Sequence, residues 1–371
     1  MNDHALACLK LRLCDARSTA VREALDHYGN APEAWQALRQ RERSLEHGLK
    51  AKQPLLERGL AWLQEPGNHL LAWHETDYPP ALRHVAAPPP FLFVRGRREL
   101  LWHPQVAVVG TRKPSAAGLE CAHRFARHLA GAGYTVTSGL ASGIDAAAHE
   151  GAMLAGTTLA ALATGPDLAF PRGHEELYEA ICRHGAAITE HPPGVPALRS
   201  HFPARNRLIA GLSAGTLVIE AAIRSGALIT ARLAAELGKE VMAVPGSIHN
   251  PVAYGCHQLI REGAFLVEQP EEVTHILAAA GGGLGAPAPA QSRGRGASEA
   301  TAEPALNGEQ RQVWQALGHD GVAIDTLCLR TGLTAGDISS ILMGMEISGW
   351  VENQCGRYHR SIRNAPPARG Q

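Results

Sequence analysis

Between residues 106 and 277 the chain alternates short apolar runs with longer stretches of helical periodicity, and few folds accept that alternation. The short runs are 106–109, 134–137, 158–163, 186–189, 216–219, 240–244 and 264–267. Apolar runs of this length, bounded by Gly and Pro, read as strands buried on both faces, and intervening helices demand a parallel sheet. The expected fold class is α/β, an extended Rossmann-like parallel sheet wound with helices on both faces.

The rest of the chain divides around this block. Residues 1–76 form an expected N-terminal helical domain, because Leu6, Leu9, Leu13, Val21, Leu25, Trp35 and Leu38 recur at helical spacing. Pro66-Gly67, Pro79-Pro80 and Pro88-Pro89-Pro90 break that pattern, so an extended connector leads into the Rossmann-like domain, placed at 77–280. Residues 281–304 have almost no bulky apolar side chains and are expected to be a flexible linker. In 305–360, Val313, Trp314 and Leu317 mark one helix, and Ile324, Leu327 and Leu329 a second. Thr334 caps a third, and 350–358 reads as a hairpin around Asn353 and Gly356. Three helices and a hairpin spell a winged-helix module.

Composition excludes more than it assigns. Thirty-five basic residues balance 35 acidic ones, so no global field attracts a polyanion and any nucleic-acid site must be local. The seven cysteines are odd in number and contain no Cys-x-x-Cys, which argues against a disulfide framework or a cysteine-rich zinc site and fits a reducing cytoplasm. No apolar run is long enough to span a bilayer, and no membrane role is expected.

In doubly wound sheets, ligands bind outside the carboxyl ends of the strands. The first such loop, Gly110-Thr111-Arg112-Lys113-Pro114-Ser115, precedes a helix. Its glycine lets backbone approach a ligand, the helix start attracts an anion, and Arg112 can fork onto a phosphate. The second, Ser138-Gly139-Leu140-Ala141-Ser142-Gly143-Ile144-Asp145, again sets glycines and hydroxyls before a helix, and a third strand ends in Thr164-Gly165-Pro166-Asp167. The three are expected to converge on phosphate. They match neither Gly-x-Gly-x-x-Gly nor a Walker A loop, so no nucleotide cofactor is expected.

Next comes His201-Phe202-Pro203-Ala204-Arg205-Asn206-Arg207-Leu208-Ile209. Pro203 suits a first helical turn, and Phe202, just outside it, either stacks on a base or staples the helix start. Arg205 and Arg207 lie two apart and point to nearly opposite sides of a helix. One meets phosphate while the other ties the helix to its own protein, and Arg205 is expected to be the outward one.

Enzymatic and metal readings find little support. Asp145 and His149 share a helical face without a third ligand and read as a capping Asp and a packed His. His149-Glu150 and His174-Glu175 do not complete His-Glu-x-x-His, and Ser138 and Ser213 lack a nucleophile elbow. No catalytic residue, metal or cofactor is therefore expected.

As a set, VAVVGTRKPSAAG (106–118), TSGLASGIDAAAH (137–149), HFPARNRLIAGLS (201–213), VIEAAIRSGALITARLAAELGKEVMAVPG (218–246) and GCHQLIREGA (255–264) resemble the bacterial DNA-processing protein A (DprA/Smf) family. DYPPALRHVAAPPPFLFVRG (77–96) resembles that family's lead-in. The resemblance implies binding of single-stranded DNA without hydrolysis, self-association as a homodimer, and delivery of DNA to the RecA recombinase in natural transformation. By position it implies a DNA pocket of the Gly110-Thr111-Arg112 loop, Ser138-Gly139, Phe202, Arg205 and Asn206. Ser225-Gly226 and Thr230 lie in a further motif at a helix start. The chain departs from the family where a glycine-rich turn reads Ala163-Thr164-Gly165-Pro166-Asp167, and where His174 replaces a common asparagine. CDARSTAVREAL (14–25) stands in place of the Gly-x-Gly hairpin of helix-hairpin-helix DNA binders.

The alternative function is a nucleotide-processing enzyme on the same fold, of the nucleoside-monophosphate phosphoribohydrolase type. Gly215-Thr216 with Glu220 resembles its Pro-Gly-Gly-x-Gly-Thr-x-x-Glu motif, but here the pair enters a strand and the spacing is one residue too long. The third helix of the tail carries Asp337 and Glu346 and no Lys or Arg, which fits a protein-interaction module better than a major-groove reader.

Overall fold

Runs with strand and helix periodicity resolve into two compact units, Met1–Ala286 and Pro287–Gln371, in the computed structural model of the chain. The structure describes residues 3–42, 44–281, 306–317, 322–354 and 356–360. The expected linker, from residue 282 to 304, lies outside the described residues.

The first unit opens with five helices: α1 (Asp3–Leu13), α2 (Ser18–Tyr28), α3 (Ala31–Arg41), α4 (Ser44–Ala51) and α5 (Gln53–Trp62). Local chemistry sets some of their ends. Gly29 stops α2 in the left-handed conformation, and the Asn30 side chain accepts the Glu33 N–H at the start of α3. Two strands follow, β1 (Asn68–Ala72) and β2 (Phe91–Gly96). Both fall where the sequence predicts an extended connector, and β1 precedes the boundary expected at residue 77. Flanking prolines hide these strands from a local reading, but pairing recruits them: β1 runs antiparallel to β2, and β2 antiparallel to the main sheet. Strand alternation makes β2 a two-sided anchor. Phe91 and Phe93 enter the core of the N-terminal helices beside Leu9, Leu25 and Trp62, while Leu92 and Val94 enter the core of the sheet. Burying each of these four side chains contributes about 1.5–3 kcal/mol.

The remaining elements alternate as the sequence predicts: β3 (Gln105–Val109), α6 (Ala116–Gly131), β4 (Thr135–Ser138), α7 (Ile144–Met153), β5 (Thr158–Ala161), α8 (Glu175–His184), β6 (Ala186–Thr189), α9 (His201–Leu212), β7 (Gly215–Val218), α10 (Gly226–Glu236), β8 (Glu240–Ala243), α11 (Tyr254–Arg261), β9 (Phe265–Leu266) and α12 (Pro270–Ala279). The sheet order is β1-β2-β6-β5-β4-β3-β7-β8-β9, parallel from β6 to β9. Along β3 the faces alternate, with Val106 and Val108 packing toward α6 and α7, and Ala107 and Val109 toward α9 and α10. The expectation of burial on both faces fails at β9. Phe265 and Leu266 are about half exposed because β9 is the edge strand. The chain builds outward from β3 to β6 and then returns to the other side of β3 with β7. Strand order reverses between β3 and β7, which opens a crevice at their carboxyl ends.

The second unit holds α13 (Gly308–Leu317), β10 (Val322–Ala323), α14 (Ile324–Thr331), α15 (Ala335–Ile347), β11 (Val351–Gln354) and β12 (Arg357–Arg360). Thr334 caps α15 by accepting the Asp337 N–H, and the last two strands form the expected hairpin against β10. Val313, Leu327, Ile338, Leu342 and Met345 share one small core. This is a winged helix.

Candidate nucleic-acid interface

A cleft of about 380 Å³ lies at the strand reversal. Gly110, Thr111, Arg112, Phe202, Arg205, Asn206, Ser225, Gly226 and Thr230 line it, so residues up to 120 positions apart are brought together. Gly110 is needed for the approach: a methyl group there would lie 2.6 Å from Ile144 Cγ1 and 2.9 Å from the Glu220 carbonyl. The Thr111 N–H donates to that same carbonyl at 2.7 Å, which ties the β3 loop to the β7 loop. Arg112 is exposed at the rim, its guanidinium 5.1 Å from the centre of the Phe202 ring.

Ser115 does not serve the cleft as expected. Its Oγ accepts the Gly118 N–H at 3.0 Å and donates to Glu220 Oε1 at 2.6 Å, and its N–H donates to Glu220 Oε2 at 2.9 Å. The anion seat at the start of α6 is therefore filled by the protein's own carboxylate. The start of α10 is different. Ser225 caps it by accepting the Ala227 N–H, Gly226 is exposed with open space beside its Cα, and its carbonyl accepts from Asn206 Nδ2 at 3.3 Å. Thr230, one turn on, is buried.

The second loop supports the cleft from beneath. Ser138 is fully buried and donates to the Val108 carbonyl at 2.7 Å. Gly143 takes φ +83°, and a methyl there would meet the Thr111 carbonyl at 2.6 Å. Leu140 is held at φ 57°, a conformation that costs a residue with a side chain of order 1–3 kcal/mol. Two histidines hold it: its N–H donates to His149 Nε2 at 3.3 Å, and its carbonyl meets His174 Nδ1 at 3.1 Å. Thr158 Oγ1 gives its hydrogen to the Val136 carbonyl, so His149 Nδ1–H must be the donor to Thr158, at 2.7 Å. Burial pushes the His149 imidazole down to about 3, which keeps it neutral. His149 is thus a packed histidine, and Asp145 pins the loop by accepting the N–H groups of Gly139 at 3.1 Å and Ala141 at 3.4 Å. The third loop does not converge on the cleft. Asp167 pairs with Arg58 of α5 at 2.5 Å and accepts the Gly194 N–H, so that turn docks the N-terminal helices instead.

The structure corrects the expected outward Arg205. Arg205 is only 5 % exposed and forms the cleft floor, donating to the Ala161 carbonyl at 3.1 Å. Its Nε is buried without a hydrogen-bond partner. Burial pushes the guanidinium down from its ordinary range against the opposing pull of Asp145, and pushes the Asp145 carboxyl up against Arg205 and the two amides. Arg207 is the residue tied to its own protein. It forms a bidentate pair with Glu190 at 2.7 and 2.8 Å and donates to the Ala86 and Ala87 carbonyls. Phe202 sits within the first turn of α9, half-buried against Phe170 with ring centres 5.5 Å apart. Sequence reading missed Arg224 and Ile229, which also line the cleft. The signal for Arg224 was its place directly before the Ser225-Gly226 helix start. It likewise missed the capping role of Glu220, for which no local signal exists.

Fold and site together define a Rossmann-like protein with a cationic, amide-rich cleft at its topological switch point, carrying a winged-helix module. Residues 69–278 match the family model for DNA recombination-mediator protein A, and residues 297–357 that for the DprA winged helix domain. The chain belongs to the DNA recombination-mediator protein A (DprA/Smf) family. It is 38 % identical to Protein Smf of Escherichia coli (strain K12) over 335 residues, covering 88 % of this chain and 85 % of that one. It is 43 % identical to DNA processing protein DprA of Streptococcus pneumoniae over 197 residues, covering 53 % and 70 %. The solved DprA from Streptococcus pneumoniae superposes with a TM-score of 0.62 at 31 % identity, covering 74 % of this chain and 97 % of that one. DNA processing protein A from Helicobacter pylori, solved for its single-stranded DNA binding mode, gives a TM-score of 0.52 at 28 % identity, covering 57 % and 96 %.

Proposed function

We propose that the chain binds single-stranded DNA in the cleft between the β3 and β7 loops, without covalent chemistry, and acts in recombination as a homodimer that hands DNA to the RecA recombinase. The observation that carries this reading is the cleft itself. Arg112 and Arg224 at the rim, Arg205 in the floor and the open start of α10 present donors to an anion. Asp145, the one carboxylate among the described lining residues, is engaged by backbone amides. Such a lining recognises phosphate without regard to base. Phe202 beside Arg112 offers a π-face to a base, and only a single strand has bases free to use it. The family and the Helicobacter pylori relative support the same ligand. Among the described residues no helix is long and apolar enough to cross a membrane, and a cytoplasmic site of action fits the proposed partners.

Glu220 weighs against the nucleotide-processing alternative. A hydrolase of that type needs its glutamate at the reacting centre, whereas both Glu220 oxygens are taken up by Ser115 and one also by Asn250. The test is a binding titration with single- and double-stranded oligonucleotides, run alongside an assay for base release from nucleotides. Preferential single-strand binding without base release is expected. Base release with no DNA binding would overturn the reading.

A further inference from the structure

The N-terminal helices meet the sheet edge through a cluster that the DNA-binding reading does not use. His4 lies in the first turn of α1, and His74 and Glu75 follow β1. Each offers one ligand atom, and the three atoms lie within 4.8 Å of one another. His4 Nε2 is 2.8 Å from Glu75 Oε1, and the His4 and His74 rings stand edge-on with centres 5.9 Å apart. A His4–Glu75 hydrogen bond explains two members of the cluster but not the third. His74 Nδ1 is buried with no hydrogen-bond partner, a costly condition for an imidazole nitrogen.

We propose that His4, His74 and Glu75 bind a first-row divalent metal ion of the zinc type, which clamps the start of α1 to the end of β1. Two imidazoles and a carboxylate are a zinc donor set, and three protein ligands leave a fourth position for water. Tetrahedral bonds of about 2.0–2.1 Å place donors roughly 3.3 Å apart, so the present spacing is closed by small side-chain movements. The Glu75 carboxylate is already oriented, since its other oxygen accepts the Ala72 N–H at 2.9 Å. Cys8, one turn along α1, has its Sγ 3.4 Å from His4 Nε2, but it does not belong to the group whose ligand atoms all lie within 4.8 Å of one another, so it stands outside the ligand set. The site lies five strand positions from β3, about 24 Å across the sheet, so its role is separate from the cleft.

The test uses the full chain, freed of metal with a chelator and then titrated with Zn²⁺ against a chromophoric competitor. One tightly bound equivalent is expected, together with a melting temperature raised by a few degrees through linkage. His4→Gln and His74→Gln should each weaken that equivalent at least about 10-fold and remove the thermal shift. Glu75→Gln, which keeps the acceptor for Ala72, should weaken it while leaving the metal-free melting temperature near that of the parent. Cysteines elsewhere in the chain can take up zinc adventitiously, and that uptake is blind to these substitutions. Zinc binding unchanged in well-folded variants, or no zinc-dependent shift in the parent, overturns the proposal.

Discussion

The Arg205 guanidinium lies against the bare Cα of Gly139, so closely that a methyl group at position 139 would sit 1.5 Å from Arg205 Nη1. The absence of a side chain on one loop therefore fixes the floor of a cleft built by another element. Arg205 is buried, so it has little room to yield. Gly139→Ala should drive the guanidinium out of its seat, cost about 1–3 kcal/mol of stability as overpacking, and weaken single-strand binding. Urea unfolding and fluorescence anisotropy with a labelled oligonucleotide check both effects. Unchanged affinity would show that the position of Arg205 does not matter to DNA.

Charge and stacking separate at the rim. Arg112→Ala should weaken single-strand binding evenly across sequences and lower the salt slope by about 0.7, the share of one phosphate left unneutralised. Phe202→Ala should weaken binding by about 1–3 kcal/mol with little change in slope, because stacking releases no counterions. Salt titrations of the two variants decide between these roles. If neither substitution alters binding, the cleft is not the site.

Arg207 and Ser115 are assigned to structure rather than to DNA. Arg207→Ala strands the Glu190 carboxylate, which is half-buried in its bidentate pair, and should cost about 3–5 kcal/mol. Ser115→Ala removes a helix cap and a donor to Glu220, at a cost of about 1 kcal/mol. Denaturant melts measure the losses, and single-strand affinity of the folded fraction should stay near that of the parent in both. A large affinity loss in folded Arg207→Ala would restore it as a phosphate ligand.

Stability should fall in mild acid. Unfolded, the His149 imidazole titrates near its ordinary 6.5; folded, only near about 3. Between those values the unfolded chain binds more protons, so this contribution is complete above about pH 6.5 and is lost as pH falls toward 3. Protonation would also remove the acceptor for the Leu140 N–H and release a strained loop. Urea midpoints at about pH 7.5 and about pH 5.5 should show the decline. His149→Gln should show a shallower one, with a residue left by His191, which burial holds at about 4. An equal slope in the variant would exclude His149 as its source.

Alternation of apolar runs with helical stretches was enough to place seven parallel strands and the winged helix, because period and punctuation are local properties. The Gly110 loop, the 201–207 segment and the Ser225-Gly226 start were legible for the same reason: each announces itself within a few residues at a strand end or helix start. Side-chain direction was not legible. Arg205 and Arg207 differ only in what faces them: Gly139 and Asp145 for the first, Glu190 for the second. Those partners come from other elements and no sequence spacing reveals them. Ser115 marks a helix start from the sequence alone, but whether that start is open to an anion depends on Glu220, 105 positions away. Strands β1 and β2 escaped because their stability lies in pairing and in two separate cores, while proline dominates their local pattern. His4, His74 and Glu75 could not be seen as a set from either end of a separation of 71 positions. Local periodicity and turn chemistry are written in the chain, whereas the identity of a buried charge's partner is decided only when the elements pack.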